Sequence, residues 1–302
     1  MISRDKTFWA GFFLALLGAV LFSAKGVVVK LTYRYPDVDA VTIIGFRMLL
    51  SLPFFLAVGW YQARKARLGL IPKLTFTQKW QLVVLGFIGY YLSSFLSFLG
   101  LQTISAGLER VVLFLAPSFV LLISALYLKR AIAPRQWLAL ALSYGGVVFV
   151  FLNDLTHVGD GVVVGVAYVL ASAISYSLYL IGSGELIKKV GATRLVAYAM
   201  SASTVFTTIQ FLWIHSWQGL YQPWPVYQLS FVHATVNTVL PTFMIMWAVA
   251  RIGAPMTAQL GLIGPVSVLF LAAWILHEPI TPLQLVGTAF VLAGVLVLGR
   301  RA

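Results

Sequence analysis

Thr103–Val150 reads TISAGLERVVLFLAPSFVLLISALYLKRAIAPRQWLALALSYGGVVFV, and Arg251–Leu298 reads RIGAPMTAQLGLIGPVSVLFLAAWILHEPITPLQLVGTAFVLAGVLVL. Laid over one another at an offset of 148 residues, without a gap, the two stretches agree at 13 of 48 positions. Pro117 falls on Pro265, Leu128 on Leu276, Pro134 on Pro282, Gln136 on Gln284, and Gly146-Val147 on Gly294-Val295. Apolar segments match by composition alone, but paired prolines and glutamines at one offset mark an internal repeat.

The surrounding chain explains what is repeated. Of its 302 residues, 61% are hydrophobic and only 10% charged, and the mean hydropathy is +0.94. An ordinary soluble domain carries about 25% charged residues, and the apolar excess here is too large for one core beneath a polar surface. A soluble enzyme, a disordered chain and a disulfide scaffold are excluded; the sequence lacks cysteine altogether. A polytopic membrane protein remains. A bilayer core of about 30 Å needs roughly 20 apolar helical residues. That length predicts ten spans: Phe8–Val29, Ala40–Tyr61, Trp80–Leu101, Ser105–Leu128, Gln136–Leu152, Gly161–Ile181, Arg194–Ile214, Leu229–Ala250, Ala254–Leu276 and Pro282–Gly299. The first is too long for a signal-peptide core of about 7–15 residues, so it reads as a mature helix. The connection His215–Gln228, rich in Trp, Tyr and Pro, suits the headgroup level.

Lys+Arg number 21 against 8 Asp+Glu, a net charge of +13. In a soluble protein that excess would suggest nucleic acid or an acidic partner. Here the positions matter. With a cytoplasmic N-terminus, 16 positive residues fall on inner segments, Lys30 and Arg34 fall outside, and Lys25, Arg47 and Arg110 lie within spans. Positive residues hold short loops in the cytoplasm, so both termini are expected inside. Residues 1–153 and 154–302 each hold five spans, and an odd number makes the second half enter the membrane from the opposite side. The expected fold is all-α: ten transmembrane helices as two inverted five-helix repeats, an arrangement that recurs in secondary transporters.

The run Gly264-Pro265 … Trp274-Ile275-Leu276-His277-Glu278-Pro279 … Gln284 … Gly287 … Gly294 resembles the drug/metabolite transporter superfamily in its EamA-type branch. Pro117, Gln136 and Gly146 echo it in the first half, and Lys30 and Arg47 sit where that family usually has Lys and Arg. The chain departs from the pattern at Arg130, the place of an acidic residue, and at Phe22-Ser23, where Trp-Gly is usual. The resemblance implies a carrier with a central cavity walled by both repeats, the fifth and tenth helices serving as peripheral scaffold. Members move amino acids and other small metabolites, usually outward in bacteria; the YddG-like amino-acid exporters are nearest in length and plan.

Charges inside a bilayer cost roughly 2.5–3.5 kcal/mol each at its centre, so they need a reason. Lys25, Arg47, Glu109 and Arg110 form such a cluster. One reading is a polar vestibule in which Glu109 pairs with one Arg and leaves a positive charge for a substrate carboxylate; the other is a structural ion pair. For Arg47 and Glu109 both stay open, whereas Lys25 and Arg110 are expected to snorkel outward. Among neutral groups, Tyr90, Ser94 and Ser97 recur at helical spacing with Tyr91 beside them, Tyr176 and Tyr179 share a face, and His233 and Asn237 form an i, i+4 pair. Lipid cannot satisfy such groups, so they are expected to face the bundle interior. Tyr90, Tyr91, Ser94, Glu109, Tyr176, Tyr179, His233, Asn237 and Gln259 are the cavity candidates, with His233 otherwise a satisfied interior histidine. Pro53, Pro117, Pro241 and Pro265 lie near mid-span, where proline kinks a helix; Pro117 and Pro265 are the hinge candidates.

The chain has no G-x-x-x-x-G-K-[ST] loop, and His157, His215, His233 and His277 are scattered without metal-ligand spacing. Asp154, Asp160 and Glu278 sit at loop ends with no nucleophile–base set. The expectation is no enzyme, cofactor, metal or nucleic acid. It is a monomeric carrier in the bacterial inner (plasma) membrane, with the lipid bilayer and a small-molecule substrate as partners. It would export small metabolites, amino acids foremost, by alternating access. The alternatives are a same-fold carrier of another metabolite or a cationic drug, and a membrane enzyme or scaffold without transport.

Overall fold

The computed structural model describes residues 2–128, 132–157, 161–252, 257, 260–261 and 263–299. No strand occurs among them. In chain order the apolar helices are α1 (Thr7–Thr32), α2 (Ala40–Arg67), α3 (Phe76–Gly100), α4 (Ala106–Leu126), α5 (Pro134–Thr156), α6 (Val162–Gly184), α7 (Ala192–His215), α8 (Trp224–Ala248), α9 (Ile263–Leu276) and α10 (Pro282–Val297). The first eight are long and apolar enough to cross a membrane; α9 and α10 are shorter. Most of the expected ninth span before Ile263, Gln259 included, lies outside the described residues. The chain is a polytopic membrane protein of about ten helices.

The repeat recurs in the helix boundaries. α2 ends at Arg67 and α7 at His215, α3 opens at Phe76 and α8 at Trp224, and α5 opens at Pro134 and α10 at Pro282. Each pair is 148 residues apart. The shared Pro-x-Gln has a local cause. Proline at the first helical position gives up an amide that would be unbonded anyway, and the Gln two residues on reaches back to the cap. Gln136 Oε1 accepts from Ala133 N at 2.8 Å, and Gln284 Oε1 from Thr281 N at 3.3 Å. These paired residues start helices.

Helix packing follows the same exchange of halves. α5 runs along α10 and α2 along α7; α1 packs on α8 as α3 packs on α6, and α4 meets α6 as α9 meets α1. Interchanging the halves maps this set of contacts onto itself, as a pseudo-two-fold axis requires. Exposed Trp213, Trp217, Tyr221 and Trp224 cluster around the α7–α8 connection, where amphipathic rings meet headgroups. Between α6 and α7 the helix continues to Val190, Gly191 takes a left-handed φ of 83°, and α7 begins at once, a reversal that glycine makes at no steric cost.

α5 and α10 touch backbone to backbone. A Cβ added at Gly146 would meet the Gly287 carbonyl oxygen, and one added at Gly287 would meet that of Gly146. Small residues permit such approach in lipid, where packing has to replace the hydrophobic effect. Gly146→Leu is expected to destabilise the protein by about 1–3 kcal/mol, the range for overpacking. A detergent melting curve unchanged from the parent would contradict this contact.

Candidate functional site

A cavity of about 400 Å³ lies within the bundle, lined by Phe22 and Lys25 of α1, Arg47 of α2, Tyr90 and Ser94 of α3, and further residues of α4, α6, α7 and α8. No lining residue belongs to α5 or α10, which stand outside it as a pair. Both halves contribute equivalent positions. Gly89, Tyr90 and Ser94 line the cavity, and so do Asn237, Thr238 and Thr242, their partners at the repeat offset. Two of these three pairs sit on wide turns: α3 is a π-helix over Phe87–Leu92 and α8 over Thr235–Val239. Such bulges recur at functional sites because the extra residue frees backbone and re-aims side chains.

The π turn also separates two residues expected on one face. Asn237 lines the cavity, while His233 lies against Phe98 with ring centroids 5.5 Å apart. Four residues span a full turn of α-helix but fall short of a π turn, so the i, i+4 alignment fails. The expectation of a satisfied His233 is corrected too: neither ring nitrogen meets a partner among the described residues. Asn237 Nδ2 donates to Leu21 O at 2.7 Å, joining α8 to α1, and its Oδ1 has no partner there.

The charged cluster differs from its expected form. Lys25 and Arg110 do not snorkel: Lys25 Nζ lies 3.5 Å from Glu109 Oε1, and Arg110 is 7% exposed. Glu109 therefore pairs with the lysine and not with an Arg, and Ser97 Oγ donates to the same Oε1 at 2.5 Å. Gly26 packs beside the pair, where a Cβ would make an ordinary contact with Glu109 Oε2 at 3.5 Å. Arg110 packs its guanidinium carbon 4.9 Å from the Phe114 ring centre and 5.7 Å from that of Phe22. Phe22 is thus occupied in the wall where the family pattern has Trp. Arg47 Nη2 donates to Ser94 Oγ at 2.9 Å, and its carbon sits 5.2 Å from the Phe98 ring centre. Instead of reaching outward, the two arginines and the lysine all line the one cavity within the bundle.

Of the tyrosine candidates, Tyr90 and Tyr176 line the cavity. Tyr179 stands behind them, its hydroxyl 2.9 Å from that of Tyr90 and its ring stacked on Tyr176. Tyr91 turns away to pack on Phe87, Phe95 and Phe206. Sequence reasoning misses Ser93, Thr238, Thr242, Phe22 and Phe114. Thr242 carries a signal, as the repeat partner of Ser94; the two phenylalanines carry none. Pro117 lines the cavity two residues past the break at Phe114–Leu115 that divides Ala106–Leu113 from Ala116–Leu128. Pro265 stands at the third residue of α9, soon after a turn at Gly261. Pro53 is enclosed in α2, and Pro241 follows the π turn of α8.

Beyond the Lys25–Glu109 pair, a group of polar contacts ties helix ends together, three of them between the halves. Lys30 Nζ lies 3.2 Å from Glu278 Oε1 and donates to Ile104 O at 2.8 Å. Arg34 Nη2 donates to Leu276 O at 3.3 Å, and Thr281 Oγ1 donates to Asn153 Oδ1. Asp154 accepts from Ser105 N at 2.7 Å and from Ser105 Oγ at 2.9 Å. In the other direction the cavity lining extends to Leu180, Ile245 and Met246, toward the C-terminal ends of α6 and α8.

Comparison with known proteins agrees with this architecture. The model of the EamA-like transporter family matches residues 9–152 and again 163–300. An uncharacterized transporter of Bacillus subtilis, YcbK, is 28% identical over 97% of this chain and 94% of its own length. A probable terminal-alkyne amino-acid exporter of Streptantibioticus cattleyicolor is 29% identical over 66% of this chain and 65% of its own. A solved crystal structure that is 17% identical superposes with a TM-score of 0.60 over 97% of this chain and 96% of that one, a likeness of fold. The chain belongs to the EamA-like transporter family.

Proposed function

We propose that this protein is a secondary carrier that exports small metabolites, amino acids foremost, across the bacterial inner membrane by alternating access around the central cavity. The observation that carries the reading is the cavity wall. It takes residues from both halves, three pairs of them repeat-related, so that rocking one half against the other would expose it to either side in turn. A cavity of about 400 Å³ suits a small metabolite, and the exporter of terminal-alkyne amino acids supports the substrate class. Both termini lie in the cytoplasm, which makes the Lys30–Glu278 end extracellular and this conformation closed to the outside. Each chain holds a complete pathway and works as a monomer. Three cationic side chains in the wall argue against a cationic drug.

The test is reconstitution of the purified protein in liposomes with a panel of labelled amino acids. Saturable flux absent from empty liposomes is expected; no flux for any member removes the reading. Pro117 and Pro265 adjoin helix breaks on both halves, which supports their role as bending points. Pro117→Ala and Pro265→Ala are expected to slow flux several-fold while the folded yield stays normal. Unchanged flux with normal yield excludes the hinge.

A further inference from the structure

The charges around the cavity do not balance. Lys25, Arg47 and Arg110 all line it, and the carboxylate in contact with them among the described residues is Glu109, already engaged by Lys25 at 3.5 Å and by Ser97 at 2.5 Å. Among the described residues the two arginines are left without an anion in contact. Both are more than nine-tenths buried, at 6% and 7% exposure, and the Nε of each has no acceptor among the described residues. What they do touch is neutral: Ser94 for Arg47, and the rings of Phe98, Phe114 and Phe22.

Ring faces attract a cation but accept its N–H groups poorly, and a buried charge without an opposite partner is strongly destabilising. A packing purpose alone would be served better by an apolar side chain. The surrounding chain also makes room for one of these charges: a Cβ at Gly264 would come within 2.7 Å of Arg110 Nη2. Guanidinium presents a planar fork of N–H donors that matches a carboxylate two bonds at a time. Asn237 Oδ1, buried in the same wall without a partner among the described residues, offers an acceptor for an ammonium or hydroxyl on the same ligand.

We propose that the cavity is a site for small organic acids of net negative charge, acidic amino acids among them, held by Arg47 and Arg110. The inference rests on the carrier reading above and narrows its substrate class from small metabolites in general to net anions. A neutral amino acid would satisfy one guanidinium; an acidic one brings a second carboxylate for the other.

Two isosteric pairs test this on the unmodified protein: L-glutamate against L-glutamine, and succinate against succinamide. Melting temperature in detergent is followed against ligand concentration at fixed pH and ionic strength, and the same compounds are tested for flux in liposomes. The acid of at least one pair is expected to half-saturate at a concentration about tenfold or more below its amide, since one added charge contact of 1.4 kcal/mol is a factor of ten. Arg47→Gln and Arg110→Gln are expected to narrow that ratio to about threefold or less, and Arg47→Lys to keep part of it. Folding of each variant is checked by its ligand-free melt. Amides that bind and move as well as the acids overturn this inference and leave the carrier reading standing. No binding and no flux for any amino acid or acid removes both.

Discussion

Replacing Glu109 by Ala is expected to destabilise the folded protein by about 3–5 kcal/mol, the range for removing one partner of a buried ion pair. Glu109 is 1% exposed and the Lys25 side chain 11%, so the pair lies out of bulk solvent. The cost falls on what is left behind: an ammonium group already close to two other cations in the cavity wall, with no carboxylate beside it. Loss of both partners is different. Lys25→Met with Glu109→Gln removes the charges together, and well-packed neutral replacements of a buried pair are often tolerated. The double variant is therefore expected to melt well above Glu109→Ala. Glu109→Ala melting like the parent would show that the pair does not hold the fold. A normal melt with lost flux in Glu109→Gln would place the carboxylate in the transport step instead.

Asp154→Ala is expected to cost about 3 kcal/mol, because two hydrogen bonds to a charged acceptor are lost and each is worth about 1.5–3 kcal/mol without strict additivity. The carboxylate is 1% exposed and takes both the backbone N–H and the hydroxyl of Ser105. Ser105 in turn caps α4, its Oγ accepting from Leu108 N at 3.0 Å. The negative charge also lies at the positive end of the α4 dipole. One residue of α5 thereby positions the start of the helix that carries Glu109 and Arg110. Asp154→Asn keeps an acceptor but loses the charge, so the melting order expected is parent, then Asn, then Ala. Equal melts for all three would remove Asp154 from the architecture.

Part of the site is legible in the amino-acid sequence. Tyr90, Ser94 and Asn237 stand out as polar groups that lipid cannot satisfy, and Arg47 by the cost of a membrane charge. His233 and Tyr91 qualify on the same grounds yet do not line the cavity. Periodicity places a residue on a helix face only while the helix stays regular. The π turns in α3 and α8 shift that register, and nothing in the local residue types announces them. The ion-pair partner escapes sequence reasoning for a related reason. Lys25 is 84 residues from Glu109, and which of three cations reaches the carboxylate depends on where α1 turns at Ala24.

The solvent, the helix count, the repeat and its offset all follow from the order of the residues, because each depends on sums over many of them. Apolar length is set against bilayer thickness, charge against loop side, and paired prolines recur 148 residues apart. Which groups meet is a matter of tertiary packing. The packing put Lys25 on Glu109, left Arg47 and Arg110 facing a cavity with no carboxylate in its wall among the described residues, and set Asp154 on the start of α4. Those outcomes turn on helix register and on approach distances of an ångström or two, which a single added or missing residue in a turn changes and which composition does not record.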